Sequence, residues 1–425
     1  MLCELVTLTG APAELADELR RLVPAPESVR EAVAEIIAGV RAGGDGAVRD
    51  YTRRFDRAGA EPGPVRVTDA ELDAALERLE EPLRSALEQT IANVRHVAAE
   101  TLCPERVIGL GGDGPPGYEV VVREAPVGRA GIYVPGGRAP YPSTVVMGVV
   151  PAQVAGVEQV AVCTPPGRED DVHPVVLAAC RLVGASEVYR MGGAQAVAAL
   201  AFGTESVQPA DVIAGPGNLY VQEAKRQVFG HVGIDGFAGP SDLVVIADAA
   251  SDPEPLALDL LAQAEHGPGT LVVGISTGSE LLQAVNRRLE GAPDTGALAR
   301  LVRVPDTERA LALASAFAPE HLQLVGPRAE ALAPRVTRVG SVFVGAAAGT
   351  AFGDYIAGSN HILPTGGAAR FASALTPMRF RRSFTEVRIG AAAAGRLAGL
   401  AAPLARAEHF EFHAQSMEAR IRDNG

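Results

Sequence analysis

The chain has 425 residues and a formal net charge of −13, with 47% hydrophobic and 21% charged residues. The acidic balance argues against a nucleic-acid partner, because phosphate binding draws on clustered Lys and Arg side chains. The sequence shows neither a signal-peptide pattern nor an apolar run of about 18 residues, so we expect a cytoplasmic protein that does not enter a membrane. The four cysteines are scattered and indicate neither a disulfide framework nor a CxxC metal site.

Helical periodicity dominates the first hundred residues. We expect an N-terminal arm over 1–25, followed by a helix over 26–56 in which apolar residues recur at helical spacing. A second helical pattern begins at Asp69 and continues towards residue 100. Residues 109–117 are rich in Gly and Pro and form a turn-rich break.

From residue 129 onward, short apolar strands alternate with helical stretches. The first series of predicted strands is 130–134, 160–162, 187–189 and 211–213. The second series is 243–246, 271–273, 301–304, 322–324 and 341–344. This alternation predicts βαβ units and an α/β fold with two consecutive parallel sheets. The last 50 residues, which are rich in Ala and Arg, are predicted to be helical.

Three Gly- or Pro-rich loops follow strands of the first series, at 135–137, 192–193 and 215–217. Ligands of parallel sheets bind where strands end, and backbone N–H groups at a helix N-terminus can hold a phosphate. Each loop alone is equally well explained as a tight turn. Three such loops together favour a nucleotide site.

Two pairs of polar residues could carry chemistry. Gln263 and His266 lie one turn apart on a predicted helix, so an amide oxygen and an imidazole face the same way and could bind a metal. Polar residues on an amphipathic helix are also expected without a metal. Glu320 and His321 stand side by side before the strand 322–324, which suits general acid–base catalysis. Taken alone, that pair is also compatible with a solvated loop.

Further polar residues follow the predicted strand 341–344, in a loop at its carboxyl end. Asp354 could supply an oxygen ligand and His361 a second imidazole, while Glu408 and His413 stand near the C-terminus. Zinc takes such nitrogen and oxygen donors. The sequence has no HExxH, P-loop or GxSxG motif, so metalloprotease, kinase and hydrolase functions lose support.

Eight strings, in this order along the chain, resemble the histidinol dehydrogenase family: Ile132–Gly137, Gly192–Gln195, Gly215–Asn218, Ala238–Ser241, Gln263–His266, Pro319–His321, Gly353–Tyr355 and Asn360–Pro364. The resemblance extends from about residue 30 to residue 415. It is weaker over 96–120, and Asp242 stands where glutamate is common in the family.

The resemblance implies a role for each candidate residue. It implies one zinc ion per subunit, with ligands Gln263, His266, Asp354 and, from the other subunit of a homodimer, His413. It implies an acid–base pair formed by Glu320 and His321. It implies further substrate contacts from Ser241, His361 and Glu408, beside His321 and the zinc ligands. It implies NAD contacts from Tyr133, Gln195 and Asn218.

The activity implied by the resemblance is the oxidation of L-histidinol through L-histidinal to L-histidine with two NAD+, the last steps of histidine biosynthesis. His321 would act as the base in both oxidations, and Glu320 would activate water between them. The expected architecture is an intertwined homodimer of two Rossmann-like domains. Its expected parts are an N-terminal arm over 1–25, a zinc-bearing and catalytic domain over 26–130 with 243–375, an NAD-side domain over 131–242, and a helical dimerisation tail over 376–425.

Two alternative functions remain open from the sequence. A related enzyme could oxidise another small alcohol, such as a sulfonated diol, but Ser241 and Glu408 fit a substrate with amine and imidazole groups better. A non-enzymatic binding module is the other alternative. It would leave unexplained why six residues suited to metal binding and proton transfer occur together: Gln263, His266, Glu320, His321, Asp354 and His413.

Overall fold

The computed structural model describes residues 1–23, 26–111, 117–136, 139–167, 171–236 and 240–421. Gly137 of the predicted loop 135–137 lies outside these described residues, as do Ala238 and Gly239. The strands are β1 (Leu2–Thr7), β2 (Arg106–Leu110), β3 (Tyr118–Pro126), β4 (Arg129–Tyr133), β5 (Gln159–Thr164), β6 (Glu187–Arg190), β7 (Val212–Ala214), β8 (Gly233–Ile234), β9 (Asp242–Ala247), β10 (Leu271–Ser276), β11 (Leu298–Arg303), β12 (His321–Val325), β13 (Ser341–Val344) and β14 (Arg381–Arg388).

The α-helices are α1 (Pro12–Arg20), α2 (Arg30–Phe55), α3 (Asp69–Glu77), α4 (Glu81–Glu100), α5 (Pro142–Val154), α6 (Pro174–Val183), α7 (Gly193–Phe202), α8 (Leu219–Val228), α9 (Pro253–Ala264), α10 (Ser279–Glu290), α11 (Thr307–Phe317), α12 (Pro327–Glu330), α13 (Thr350–Tyr355), α14 (Ala391–Ala407) and α15 (Glu411–Glu418). Helix α2 contains a break at Gly44, whose φ is 51°. None of the described helices is long and apolar enough to cross a membrane.

The chain forms two compact units, and the larger one comprises residues 1–101 and 127–380. One sheet of this unit has the strand order β1-β11-β10-β9-β12-β13, with every pairing parallel. Strands β9 and β10 are buried along their whole length, which is why they are recognisable as unbroken apolar runs. Strand β1 was not predicted. It pairs with β11 residue by residue, so the expected N-terminal arm begins as an edge strand.

The second sheet of the larger unit has the parallel order β6-β5-β4-β7-β8. The strand order reverses beside β4, so the loops after β4 and β7 leave on opposite faces and frame a crevice between them. Helix α5 follows β4 and is buried on almost every side, as expected for a helix that is apolar all round. The prediction of two parallel sheets in an α/β fold is confirmed.

Helices α2, α3 and α4 pack against the helices of this second sheet: α2 against α7 and α8, α3 against α6, and α4 against α5. Apolar side chains of α2 share one buried cluster with β5 and α7, among them Val33, Ile36 and Val40. The sequence-based division instead groups residues 26–130 with 243–375. The packing of α2 to α4 therefore differs from that expectation, since these helices cover the sheet formed by residues 129–234.

The smaller unit comprises residues 102–126 and 381–425. Its three strands form an antiparallel sheet in the order β14-β3-β2, and α14 packs against α15. The expectation of an entirely helical tail is wrong over 381–388, because these residues pair along their full length with β3. In the described part of the tail, a short 3-10 helix covers Pro377–Phe380, and α-helix begins only at Ala391.

Candidate active site

The predicted acid–base pair, Glu320 and His321, lies at the amino ends of β9 and β12, two neighbouring strands of the six-stranded sheet. Ser241 immediately precedes β9, Glu320 immediately precedes β12, and His321 is the first residue of β12. His321 is paired in register with Leu243, so the starts of the two strands lie side by side. The chain enters β12 through Ala318, which ends α11 in a left-handed conformation. The pair is therefore at the beginning of a strand, as the sequence predicts.

A chain of hydrogen bonds holds the Glu320 carboxylate. One of its oxygens, Oε2, accepts hydrogen bonds from the Ser241 hydroxyl and from the backbone N–H of Asp242, the latter at 3.0 Å. Gln263 in turn donates its Nε2 to Ser241 Oγ. The Asp242 carboxylate accepts the backbone N–H of Glu320 at 2.8 Å. These contacts fix both the side chain and the backbone of Glu320.

Burial and the neighbouring charges shift the pKa values of both Glu320 and His321. Glu320 and His321 are only 6% and 3% exposed. Burial raises the pKa of Glu320 to about 7, and the nearby Asp242 adds to the effect, although His321 opposes it. Burial alone would lower the pKa of His321, but the carboxylates of Glu320 and Asp354 outweigh it and raise that pKa to about 9. These shifts bring the pKa of the Glu320 carboxyl close to neutral pH and keep the His321 imidazole protonated to a higher pH than usual. Groups that titrate in this range suit acid–base catalysis.

Asp354 and His361 complete the cluster from the segment after β13. Asp354 Oδ1 lies 3.6 Å from His321 Nε2, while Glu320 Oε2 lies 3.7 Å from His321 Nδ1, so the imidazole sits between two carboxylates. His361 Nδ1 lies 2.9 Å from the backbone oxygen of Asp354, and its Nε2 lies 3.1 Å from Thr144 Oγ1. Burial lowers the pKa of His361, which favours a neutral imidazole. Asp354 thus reaches the amino end of β12, although the sequence suggested a site at a carboxyl end.

The metal ligands implied by the resemblance are only partly assembled in the larger unit. Among the described residues, no three His, Cys, Asp or Glu side chains converge as a group that could hold a metal ion. Gln263 ends the last turn of α9, and His266 lies two residues beyond the helix, in a turn closed by its N–H to the Gln263 carbonyl. Gln263 Nε2 donates to Ser241, so the amide oxygen is the atom of this side chain that could bind a cation.

The chemical types of these donor groups suit zinc. An amide oxygen, an imidazole from His266 and a carboxylate from Asp354 are ligand types that zinc accepts. Burial lowers the pKa of His266, and the Asp354 carboxylate opposes this shift. Three such donors leave one position of a tetrahedral site to be filled. A ligand from outside this unit, as the resemblance implies, would complete the set.

Glu408 and His413 belong to the smaller unit. Glu408 follows α14 and His413 lies in α15, where its ring centroid is 5.0 Å from that of Phe410. Both residues are exposed in the chain. Their side chains are therefore available to a ligand or to another subunit.

The three predicted NAD contacts lie at the carboxyl ends of the five-stranded sheet. Tyr133 is the last residue of β4, and its hydroxyl accepts a hydrogen bond from the Gly193 N–H at 3.2 Å. Gln195 lies in the first turn of α7 and donates to Asp56 Oδ2 at 3.2 Å. Asn218 caps α8 by accepting backbone N–H groups with its side-chain oxygen. Tyr133 and Asn218 follow β4 and β7, the two strands beside which the order reverses, whereas Gln195 follows the edge strand β6.

The sequence did not reveal two residues that shape the site. Arg20, at the end of α1, places Nη1 2.6 Å from Asp242 Oδ2 and donates to the carbonyl oxygens of Phe317 and Ala318. Thr144 contacts His361 from the first turn of α5. Arg20 is separated from Asp242 by more than 200 residues and carries no local signal. Thr144 could have been considered, because it begins a helix directly after a strand of the parallel sheet.

Two parallel sheets, a buried carboxylate–imidazole pair and a crevice at a reversal of strand order define an α/β enzyme. The family model described as histidinol dehydrogenase matches residues 20–421. A histidinol dehydrogenase of Parasynechococcus marenigrum is 45% identical over 97% of this chain and 95% of that protein. The Cereibacter sphaeroides histidinol dehydrogenase is also 45% identical, over 92% of this chain and 91% of its own.

A solved structure gives the same result. The crystal structure of histidinol dehydrogenase from Elizabethkingia anophelis is similar with a TM-score of 0.89 and 30% identity, covering 99% of this chain and 98% of that one. The chain belongs to the histidinol dehydrogenase family, and it is accordingly an oxidoreductase. The resemblance stated from the sequence motifs is confirmed.

Proposed function

We propose that the protein oxidises L-histidinol through L-histidinal to L-histidine with two NAD+, as the last steps of histidine biosynthesis. The observation that carries the proposal is the buried cluster of Ser241, Glu320, His321 and Asp354 in a chain of this family. This cluster brings together a base, an acid and the groups that orient them at the amino ends of two neighbouring strands. Because NAD is an intracellular cofactor, the proposal includes a cytoplasmic location.

His321 is the base of both oxidations. Its imidazole, in the neutral form that predominates above its pKa of about 9, takes the hydroxyl proton as the carbon-bound hydrogen leaves as hydride. The imidazolium that results is stabilised by carboxylates on both sides, Glu320 at 3.7 Å and Asp354 at 3.6 Å. When bound, NAD+ accepts the hydride, and each oxidation therefore releases one NADH and one proton.

Glu320 serves the step between the oxidations. Its pKa of about 7, raised by burial, allows the carboxylate to take a proton from the water that adds to the aldehyde. Ser241 and the Asp242 N–H hold one carboxylate oxygen, Oε2, in place. As the hydrate forms, the aldehyde oxygen takes the proton that His321 received in the first oxidation. The neutral imidazole can then accept the hydroxyl proton of the hydrate in the second oxidation.

Zinc, when bound, supplies a positive charge that anchors the amine and imidazole nitrogens of the substrate. We propose one ion per subunit, held by Gln263, His266 and Asp354 together with the partner subunit's His413. Ser241, His361 and Glu408 would add contacts to the substrate.

The exposed apolar surface of the smaller unit supports a homodimer. Phe410 and Phe412, which shortly precede His413 in the chain, are 53% and 84% exposed, and Leu400 and Leu404 of α14 are 74% and 64% exposed. A monomer rarely leaves large apolar side chains clustered in water, whereas a subunit interface buries them. Light scattering should therefore give a dimer mass. Mixing inactive Asp354→Ala and His413→Ala subunits should restore activity only if sites are shared.

The activity is tested by measuring NADH formed per histidinol consumed. We expect two NADH per histidinol and no accumulated histidinal, whereas simple diols should give little NADH. A yield of one NADH, with the aldehyde released, would contradict the four-electron reaction. Rapid oxidation of diols with no histidinol activity would instead favour a related enzyme of another alcohol.

A further inference from the structure

The chain contains a single lysine. Of its 38 lysine and arginine residues, Lys225 is the one lysine and all the others are arginines. The side chain of Lys225 is only 2% exposed, and it pairs with the carboxylate of Asp235, itself 6% exposed. A buried ion pair is costly to form, and stability alone does not account for it, because apolar side chains often serve as well. The surroundings of this pair therefore bear on its role.

The pair binds both backbone polar groups of Gly215. Lys225 Nζ donates to the Gly215 carbonyl oxygen at 3.0 Å. Asp235 Oδ2 accepts the Gly215 N–H at 2.7 Å, while its other oxygen contacts the ammonium group and accepts the Gly236 N–H at 2.8 Å. One peptide position is thereby held from two sides by opposite charges.

Gly215 occupies a position that requires such support. It directly follows β7 and has a φ of 128°, a conformation that residues with a side chain rarely adopt. A Cβ atom there would overlap the carbonyl oxygen of Tyr133, the last residue of β4. Gly215 thus brings the ends of β4 and β7 together at the crevice where the strand order reverses.

The rest of the loop is fixed in the same manner. Gln222 donates its side-chain amide to the Gly217 carbonyl at 3.0 Å, and Asn218 caps α8. Lys225 itself lies on α8, so the helix that begins with the loop also anchors the loop's first residue. A dinucleotide bound in this crevice would meet the loop through its backbone.

We propose that Lys225 and Asp235 are positioning residues for dinucleotide binding, which hold the loop from Gly215 to Asn218 against the end of β4. The inference rests on the NAD site of the proposed function. Neither residue touches the reacting atoms. Arginine cannot replace the lysine, because a planar guanidinium does not fit a site built for a compact ammonium group.

The test compares two paired substitutions. Lys225→Met with Asp235→Asn removes both charges, while the new amide can still accept the Gly215 N–H. The matched control is Arg129→Met with Glu187→Gln, which removes a largely buried ion pair at the amino ends of β4 and β6, on the opposite edge of the same sheet. Both variants should melt cooperatively, which a thermal unfolding curve checks.

For the first variant we expect the KM for NAD+ to rise about 10–100-fold, the range by which small misplacements weaken a site. Its KM for histidinol, and its kcat at saturating NAD+, should stay within about threefold of the wild type, since the acid–base cluster is untouched. The control variant should keep the wild-type KM for NAD+. Equal KM values for NAD+ in the two variants would overturn the proposal. Lys225→Arg should resemble the first variant.

The single lysine allows a second measurement on the unaltered protein. Labelling lysine with ¹⁵N at Nζ gives one side-chain signal, which NAD+ should shift and histidinol alone should not. A signal unmoved by saturating NAD+ would also overturn the proposal. If the wild type binds NAD+ and shifts this signal but forms no NADH from histidinol, the proposed reaction is wrong and the positioning role stands.

Discussion

The contact between Arg20 and Asp242 leads to a quantitative prediction. Asp242 is 1% exposed and its carboxylate accepts the backbone N–H of Glu320, while Arg20, 18% exposed, neutralises its charge at 2.6 Å. In Arg20→Met the apolar stem is kept, but a buried carboxylate loses its partner. Removing one member of a buried pair costs roughly 3–5 kcal/mol. Since Arg20 is partly solvated, we expect a loss of about 3 kcal/mol in the free energy of unfolding.

The same substitution should slow turnover. Arg20 also donates to the carbonyls of Phe317 and Ala318, just before Glu320, so its loss should loosen the acid–base pair and lower kcat about tenfold. Urea unfolding and steady-state kinetics measure the two effects. Arg21→Met is the control, because Arg21 is exposed and bonds only within its own helix. Losses below about 1 kcal/mol in both variants would refute the reasoning, as would unchanged kcat in Arg20→Met.

Three further predictions concern protonation and the metal. His321→Asn should lower kcat by about a hundredfold or more while zinc content stays near the wild-type level, and full activity would show that His321 is not the base. Strong chelation should abolish histidinol oxidation and added zinc should restore it, whereas a protein shown to be metal-free that keeps its activity would contradict the zinc role. Burial raises the pKa of Asp56 to about 7, so the folded state holds a proton that the unfolded state releases, and stability should fall as pH rises from about 4 to 7, by at most about 4 kcal/mol. Asp56→Asn should flatten this decline in urea unfolding at several pH values, and an unchanged slope would exclude Asp56 as its source.

The sequence was most informative where burial is two-sided. Apolar runs such as 243–246 and 271–273 became β9 and β10, because strands covered on both faces need no polar alternation. Strand β1 was missed since its sequence is mixed and its partner, β11, lies almost 300 residues away. Strand β14, over Arg381–Arg388, has only two apolar residues, Phe384 and Val387, and is largely exposed, so it carries no strand pattern of its own and its pairing with β3 determines its conformation.

The sequence indicated which residue types form the candidate site more completely than it indicated where they lie in the fold. Glu320 and His321 were predicted to precede a strand, and they lie at its start, with His321 as its first residue. Their environment depends on Asp242 and Arg20, which belong to another strand and to the first helix. A local pattern carries no information about such contacts. The same holds for Thr144, whose partner His361 lies 217 residues further along the chain.

The proposed reaction uses the amino ends of the strands in one sheet and the carboxyl ends of the strands in the other. The acid–base cluster gathers at the amino ends of β9 and β12, whereas the proposed dinucleotide loops gather at the carboxyl ends of β4 and β7. Helix α5 connects the two arrangements, because it follows β4 directly and its Thr144 contacts His361 of the cluster. A helix buried on almost every side is suited to this role, since hydride transfer requires the cofactor and the base to keep a fixed separation. The six-stranded sheet therefore contributes the amino ends of its strands to the proposed site, because the five-stranded sheet already supplies the nucleotide crevice at the carboxyl ends of its strands.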